Sequence, residues 1–334
     1  VSSVTGVSAV DSLPDDDGRP PLLGDQASTG RLGDRLFGGA ATGAGVLVIA
    51  LVTLVGVFLL WQAIPALANN EANFLTSREW NVSGDNPRFG IADLLWTTVL
   101  SSILAMGIAV PLGVCVALFI TQYAPAWLRK PAAQLIDLLA AVPSIVYGLW
   151  GVAQFTPFID PLQQKLQQWL GWFPLFRETS ITATIFVISL VLAIMILPIV
   201  TSLSREVFAQ TPAPHKEGAL ALGATKWEMI KTAVLPYGRP GVISAAMLAL
   251  GRALGETVAV MMILSTLAVG TPFNPSIFNG GETFASRIAN NASEFDSPQK
   301  AGAFIAAGLV LFILTFVVNA IARVVIERRK AFTE

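Results

Sequence analysis

The stretch from Leu36 to Asn70 carries no charged residue, and this limits the fold more than any other feature. It offers water no charged face, whereas a helix crossing the bilayer's hydrocarbon needs about 20 consecutive apolar residues. Five further segments are predominantly apolar, with few or no charges. The expected spans lie near 44–67, 91–123, 135–155, 181–201, 241–267 and 301–325. Of the 334 residues, 54% are hydrophobic and only 13% charged, against roughly a quarter charged in a soluble domain. The chain is expected to be an all-α integral membrane protein with six transmembrane helices in residues 41–334. Residues 1–40 hold Gly, Ser, Pro and the run Asp15, Asp16, Asp17, and are expected to form a disordered cytoplasmic tail.

Basic residues set the orientation, because cytoplasmic segments retain Lys and Arg. With the N-terminus inside, 14 of the 21 basic residues fall on inner segments, six on outer segments and one, Arg252, within a span. Both termini are therefore expected in the cytoplasm. Within one outer segment, Pro161–Gly171 places Leu162, Leu166, Trp169 and Leu170 on one helical face and Gln163, Gln164, Lys165, Gln167 and Gln168 on the other. That pattern suits either an amphipathic helix at the outer interface or a packed connector. The last outer loop, Ala268–Lys300, is long, with a short helix expected within Glu282–Ala292.

Several function classes are excluded early. A single cysteine, Cys115, allows no disulfide within the chain, and one histidine, His215, supports no His/Cys metal cluster. Net charge is −1, so no bulk basic balance points to nucleic acid. Nothing pairs a nucleophile with a base, so no catalytic residue is assigned. No Gly-x-x-x-x-Gly-Lys-Ser/Thr cradle occurs. If transport is driven by ATP, then ATP and its Mg²⁺ belong to another chain.

The largest cytoplasmic loop, residues 205–240, holds two expected short helices, His215–Leu222 and Thr225–Val234, separated by Gly223. Ala219, Leu220 and Leu222 on the first, with Trp227, Met229, Ile230 and Val234 on the second, require a partner to cover them. Glu217-Gly218-Ala219-x3-Gly223, followed by Leu235-Pro236, resembles the EAA loop of ATP-binding-cassette importers. In that family the loop docks into the ATPase subunit. Gly218 stands where Ala is usual and Ala233 where Ile is usual. The resemblance implies ATPase-coupling roles for Glu217, Gly218, Ala219, Gly223, Leu235 and Pro236.

Span five carries Arg252 and Glu256. A charge at mid-membrane costs roughly 2.5–3.5 kcal/mol on insertion scales. Four residues apart, the two share a helical face and are able to pair. Either they form a buried ion pair that sets helix register, or Arg252 lines an anion path with Glu256 tempering its charge. Gly251 and Gly255 form a Gly-x-x-x-Gly pair that admits a neighbouring helix. Ser144 and Thr257 are weaker candidates, either hydrogen-bonding an anion or packing helices. Asp137, near the inner end of span three, is either a gate or a helix-start residue.

The segments Gly251–Val260, GRALGETVAV, and Val142–Gly151, VPSIVYGLWG, resemble those of phosphate-specific importer permeases, with the second closest to the PstC-type subunit. The resemblance runs from span two to span six. It implies a type I importer permease fold and a role for Arg252 and Glu256 in phosphate passage. It also implies three kinds of protein partner around this chain in the lipid: a homologous PstA-type permease, two PstB-type ATPase subunits and an extracytoplasmic PstS-type phosphate-binding protein. The expected location is the bacterial cytoplasmic membrane. A permease for sulfate, molybdate or phosphonate, and an ATP-independent anion channel or carrier, remain as alternatives.

Overall fold

The computed structural model describes residues 27–330, apart from 85, 178, 180 and 269. Helix α1 covers Ala27–Ala68. The segment expected to be tail is thus helical from Ala27, where Arg31, Leu32, Arg35 and Leu36 are good helix formers; residues 1–26 lie outside the described residues. The chain divides into Val1–Val57 and Phe58–Glu334. In the first unit the side chains of Val48, Leu51 and Val55 are exposed.

In the second unit a two-residue antiparallel ladder, β1 (Trp80–Asn81) with β2 (Arg88–Phe89), precedes the long helix α2 (Ala92–Leu118). There follow α3 (Ala126–Ala140), α4 (Ser144–Trp150), α5 (Thr156–Leu170) and α6 (Ile185–Ala209). The short α7 (Ala213–Ala221) and α8 (Lys226–Met229) lead to α9 (Leu235–Leu254) and α10 (Val258–Ile263). The chain ends in α11 (Phe284–Asn290) and α12 (Pro298–Lys330).

Helix α6 is the central post. Ile185, Val187, Ile188, Val191, Leu192, Met195, Ile196 and Val200 are all buried, against Ala105 and Ala109 of α2 and Ala249 and Ala253 of α9. Alanines on the flanking helices let their backbones come close to its branched side chains. The two ends of α2 carry separate clusters. Ile91 and Leu94 meet Phe284 and Ala307 at one end. Ala117 and Leu118 meet Phe208, Met229, Ile230 and Val234 at the other.

Among the described residues five helices are long and apolar enough to cross a membrane, and α3 with Ser144–Leu170 adds a sixth only if this pair, bent by 86°, is one span. The expected span 135–155 is therefore not one straight helix. The break falls at Ala141–Pro143, where Pro143 disfavours helical backbone at Val142 and lacks an N–H to continue the ladder. Beyond it, α4 continues through a π segment, Gly151–Phe155, into α5. Thr156 Oγ1 donates to the Gly151 carbonyl at 2.8 Å, occupying an acceptor in that widened turn.

The amphipathic pattern of Pro161–Gly171 is present but turned round. Gln163 and Gln167 face inward, while Leu162 and Trp169 are exposed. Gln163 accepts from Thr184 Oγ1 at 2.7 Å and donates to the Ile181 carbonyl at 3.1 Å. An apolar face turned outward suits a lipid surround, where a polar face has to find its partners inside.

Candidate translocation site and coupling surface

Helix α7 ends in a turn that only Gly223 makes easily. Its φ is +85°, a left-handed conformation that a side chain resists. The Gly223 amide donates to the Leu220 carbonyl at 3.0 Å and the Ala224 amide to the Ala219 carbonyl at 3.2 Å, the paired bonds of a Schellman end. Two residues later Thr225 and Glu228 cap α8 reciprocally. A π segment, Ile230–Val234, joins α8 to α9, which opens with Leu235 and Pro236. Proline is well placed there, where no intrahelical N–H bond is lost.

This loop is shorter on free apolar surface than expected. Met229, Ile230 and Val234 are buried within the chain itself, beneath Phe208 and Leu118, because α8 and its π segment fold back on the ends of α2 and α6. Leu220, Leu222 and Trp227 remain exposed. Glu217 is exposed beside them. A methyl group placed on Gly218 would meet nothing within 4 Å, so the departure from Ala at that position leaves the surface unobstructed. Lys226 Nζ lies 4.6 Å from the centre of the Tyr123 ring, linking the loop to the end of α2.

Span five is not one continuous helix. Helix α9 ends at Leu254, and α10 begins at Val258. Gly255 weakens the helix at this point, and Thr257 Oγ1 donates to its carbonyl at 3.1 Å, competing for an acceptor that a continuing helix would use. Arg252 is half-buried in the last turn of α9, where the free carbonyls favour a cation. Glu256 is 8% exposed, and its Oε1 accepts from the Ala259 amide at 3.1 Å. The expected Arg252–Glu256 pair does not form among the described residues. Instead each charge is matched to the helix end beside it.

The glycine pair expected to admit a neighbour also behaves differently. A methyl group on Gly251 would meet nothing within 4 Å, and one on Gly255 only the Gly251 carbonyl, at 3.4 Å. Close approach occurs instead at Gly148 and Gly151 of VPSIVYGLWG. A methyl group on Gly148 would lie 3.3 Å from Ala259 Cα and 2.9 Å from Met262 Sδ, and one on Gly151 would collide with the Ile263 side chain. The two segments singled out in the sequence therefore pack directly on each other, with α4 against α10. The Tyr147 hydroxyl donates to the Leu139 carbonyl at 3.1 Å across the bend.

Thr257 lies in the break itself, and Ser144 opens α4 one turn before Tyr147. Asp137 stands apart from this group. It lies inside α3 rather than at a helix start, accepting from Ser202 Oγ at 2.9 Å and pairing with Arg205 at 3.4 Å on α6. Beyond α10 opens a cavity of about 890 Å³, lined by Met261–Leu267, Thr156, Thr182, Glu282, Arg287 and Asn290 among others. Sequence reading placed a short helix at Glu282–Ala292 but gave Arg287 no role, since no spacing connects it to α10.

Residues 109–331 match the family described as binding-protein-dependent transport system inner membrane component. The chain belongs to this family. A Mycobacterium tuberculosis relative, "Phosphate transport system permease protein PstC 2", is 50% identical over 312 residues, covering 92% of this chain and 96% of the relative. A Mycobacterium leprae relative, "Phosphate transport system permease protein PstC", is 54% identical over 297 residues, covering 87% and 92%. Among solved structures, "Inward facing conformations of the MetNI methionine ABC transporter" aligns with a TM-score of 0.50 at 15% identity, over 72% of this chain and 95% of that one; this likeness concerns the fold. As a permease-family member with several membrane-crossing helices, the chain is a multi-pass membrane protein and a transport subunit. The matched region takes in α2 from Ala109, both packed segments and the α7–α8 loop.

Proposed function

We propose that this chain is the permease subunit of an ATP-driven phosphate importer in a bacterial cytoplasmic membrane, supplying half of the pathway for inorganic phosphate. The observation that carries the reading is the break in span five. It holds a half-buried guanidinium, Arg252, and a buried carboxylate, Glu256, at the facing ends of two helices, the second of which packs on the VPSIVYGLWG segment. A guanidinium presents a planar fork of donors suited to phosphate oxygens. The relatives named as phosphate transport permeases give that anion priority over sulfate, molybdate or phosphonate.

The partners under this reading are a homologous permease, two ATPase subunits that bind ATP and Mg²⁺, and an extracytoplasmic phosphate-binding protein. Glu217, Leu220, Leu222 and Trp227 meet the ATPase in the cytoplasm. The buried side chains of Met229, Ile230 and Val234 pass its movement to α2, α6 and α9. Phosphate crosses past Arg252 with no bond in it broken, so this subunit itself performs no chemistry. Reconstituting the chain with its partners and comparing ATP-dependent uptake of phosphate and sulfate tests the proposal. Phosphate uptake that needs ATP supports it; sulfate uptake in its place, or anion flux through this chain alone without ATP, refutes it.

A further inference from the structure

We infer that Arg287 is a second anion-handling residue, receiving the oxyanion in the cavity beyond α10 before it reaches Arg252. The inference rests on the proposal that this chain passes an oxyanion. Among the described residues, Arg287 and Glu282 are the charged lining of a cavity of about 890 Å³, whose remaining polar lining includes Thr156, Thr182, Ser265 and Thr266. Hydroxyl groups both donate and accept, which suits an anion that carries charged oxygens and a proton together.

The contrast with a neighbouring arginine separates a receiving role from a purely structural one. Arg78 binds Asp93 through two nitrogens, at 2.7 and 3.0 Å, and the Thr271 carbonyl at 3.3 Å, with its guanidinium 5.0 Å from the Phe273 ring centre. Its donors are directed into the protein. Arg287 pairs with Glu282 through Nη1, and its Nε is buried without a partner. The guanidinium lies 5.2 Å from the Trp80 ring centre, and Trp80 in turn packs on Phe304 and Phe89. The fork is thus held in place, and its Nη2 makes no hydrogen bond among the described residues.

Glu282 keeps the site from holding an anion too strongly. One carboxylate oxygen faces Arg287 and the other accepts from Asn290 Nδ2 at 3.1 Å. Paired charges leave the cavity near neutrality, and an anion that binds has to leave again. Met261, Met262 and Ile263 of α10 line the same cavity, and Glu256 contacts the opposite end of that helix. One short helix therefore separates the receiving arginine from the one at the break.

The test uses the complete reconstituted transporter with its phosphate-loaded binding protein, measuring phosphate moved per ATP hydrolysed. Arg287→Gln is expected to hydrolyse ATP near the wild-type rate while moving about tenfold less phosphate per ATP, since charge-assisted bonds to the anion are lost. Arg287→Lys, which keeps the charge without the fork, is expected to fall between the two. An unchanged ratio in Arg287→Gln overturns the inference, as does a parallel loss of hydrolysis and uptake or a failure of both variants to assemble. If wild-type transporter moves sulfate instead of phosphate, the phosphate proposal fails, and the same ratio measured with sulfate still decides the role of Arg287.

Discussion

Glu256 Oε1 accepts a hydrogen bond from the backbone amide of Ala259 at 3.1 Å, so the carboxylate in span five holds the start of α10 and not the guanidinium four residues before it. The first amides of a helix have no partners within it, and an anion beside them is stabilised. Glu256 thus has two separable attributes, an acceptor for α10 and a negative charge on the proposed pathway. Glu256→Gln keeps the acceptor and removes the charge; Glu256→Ala removes both. The expected outcome is impaired uptake in both, with a fall in thermal stability confined to Glu256→Ala and worth about 1 kcal/mol, as for a lost helix cap. Equal melting temperatures for the two variants in detergent would contradict the capping role.

Arg252 sits where α9 stops, half-buried and without a carboxylate partner among the described residues. Arg252→Gln is expected to abolish phosphate uptake while the complex still assembles. Co-purification measures assembly, and labelled phosphate measures uptake; near-normal uptake removes Arg252 from the pathway.

Gly148 and Gly151 set the distance between α4 and α10. Leucine at Gly151 has to displace Ile263, and overpacking of this kind costs typically about 1–3 kcal/mol. Gly151→Leu is expected to lower the melting temperature and the uptake rate together. Gly251→Ala, where a methyl group meets nothing within 4 Å, is expected to leave stability within about 0.5 kcal/mol of wild type.

The coupling loop offers a matched pair of substitutions. Gly223 has φ +85°, and a β-branched residue there costs on the order of 1–3 kcal/mol. Gly223→Val is expected to misplace α7 and detach the ATPase subunits on co-purification. Gly218→Ala, with open space around it, is expected to retain them. Loss of the ATPase from Gly218→Ala, or its full retention by Gly223→Val, argues against docking at this loop.

The all-α membrane class was legible because lipid leaves a chain few options. Backbone groups have to be satisfied internally, so long apolar runs become helices whatever their neighbours. Gly223 was legible for a similar reason, since a glycine between two short helices marks a turn that other residues resist. The direction of the Gln163/Gln167 face was not. Periodicity shows that two faces differ but not which of them meets lipid, and the Thr184 hydroxyl that donates to Gln163 lies 21 residues away in the chain. Nor was the fate of Met229, Ile230 and Val234 legible, since apolar residues in a connecting loop need cover but do not say whose.

By itself, then, the sequence determined the solvent, the helices, the turn at Gly223 and the two segments that mark the family, because each depends on residues close together in the chain. Only the tertiary structure decided that those two segments touch, that span five breaks between Arg252 and Glu256, and that Arg287 shares a cavity with α10. Those outcomes depend on how closely a glycine lets another helix approach and on which helix end a charge finds. Such contacts form between elements far apart in sequence, where spacing carries no information.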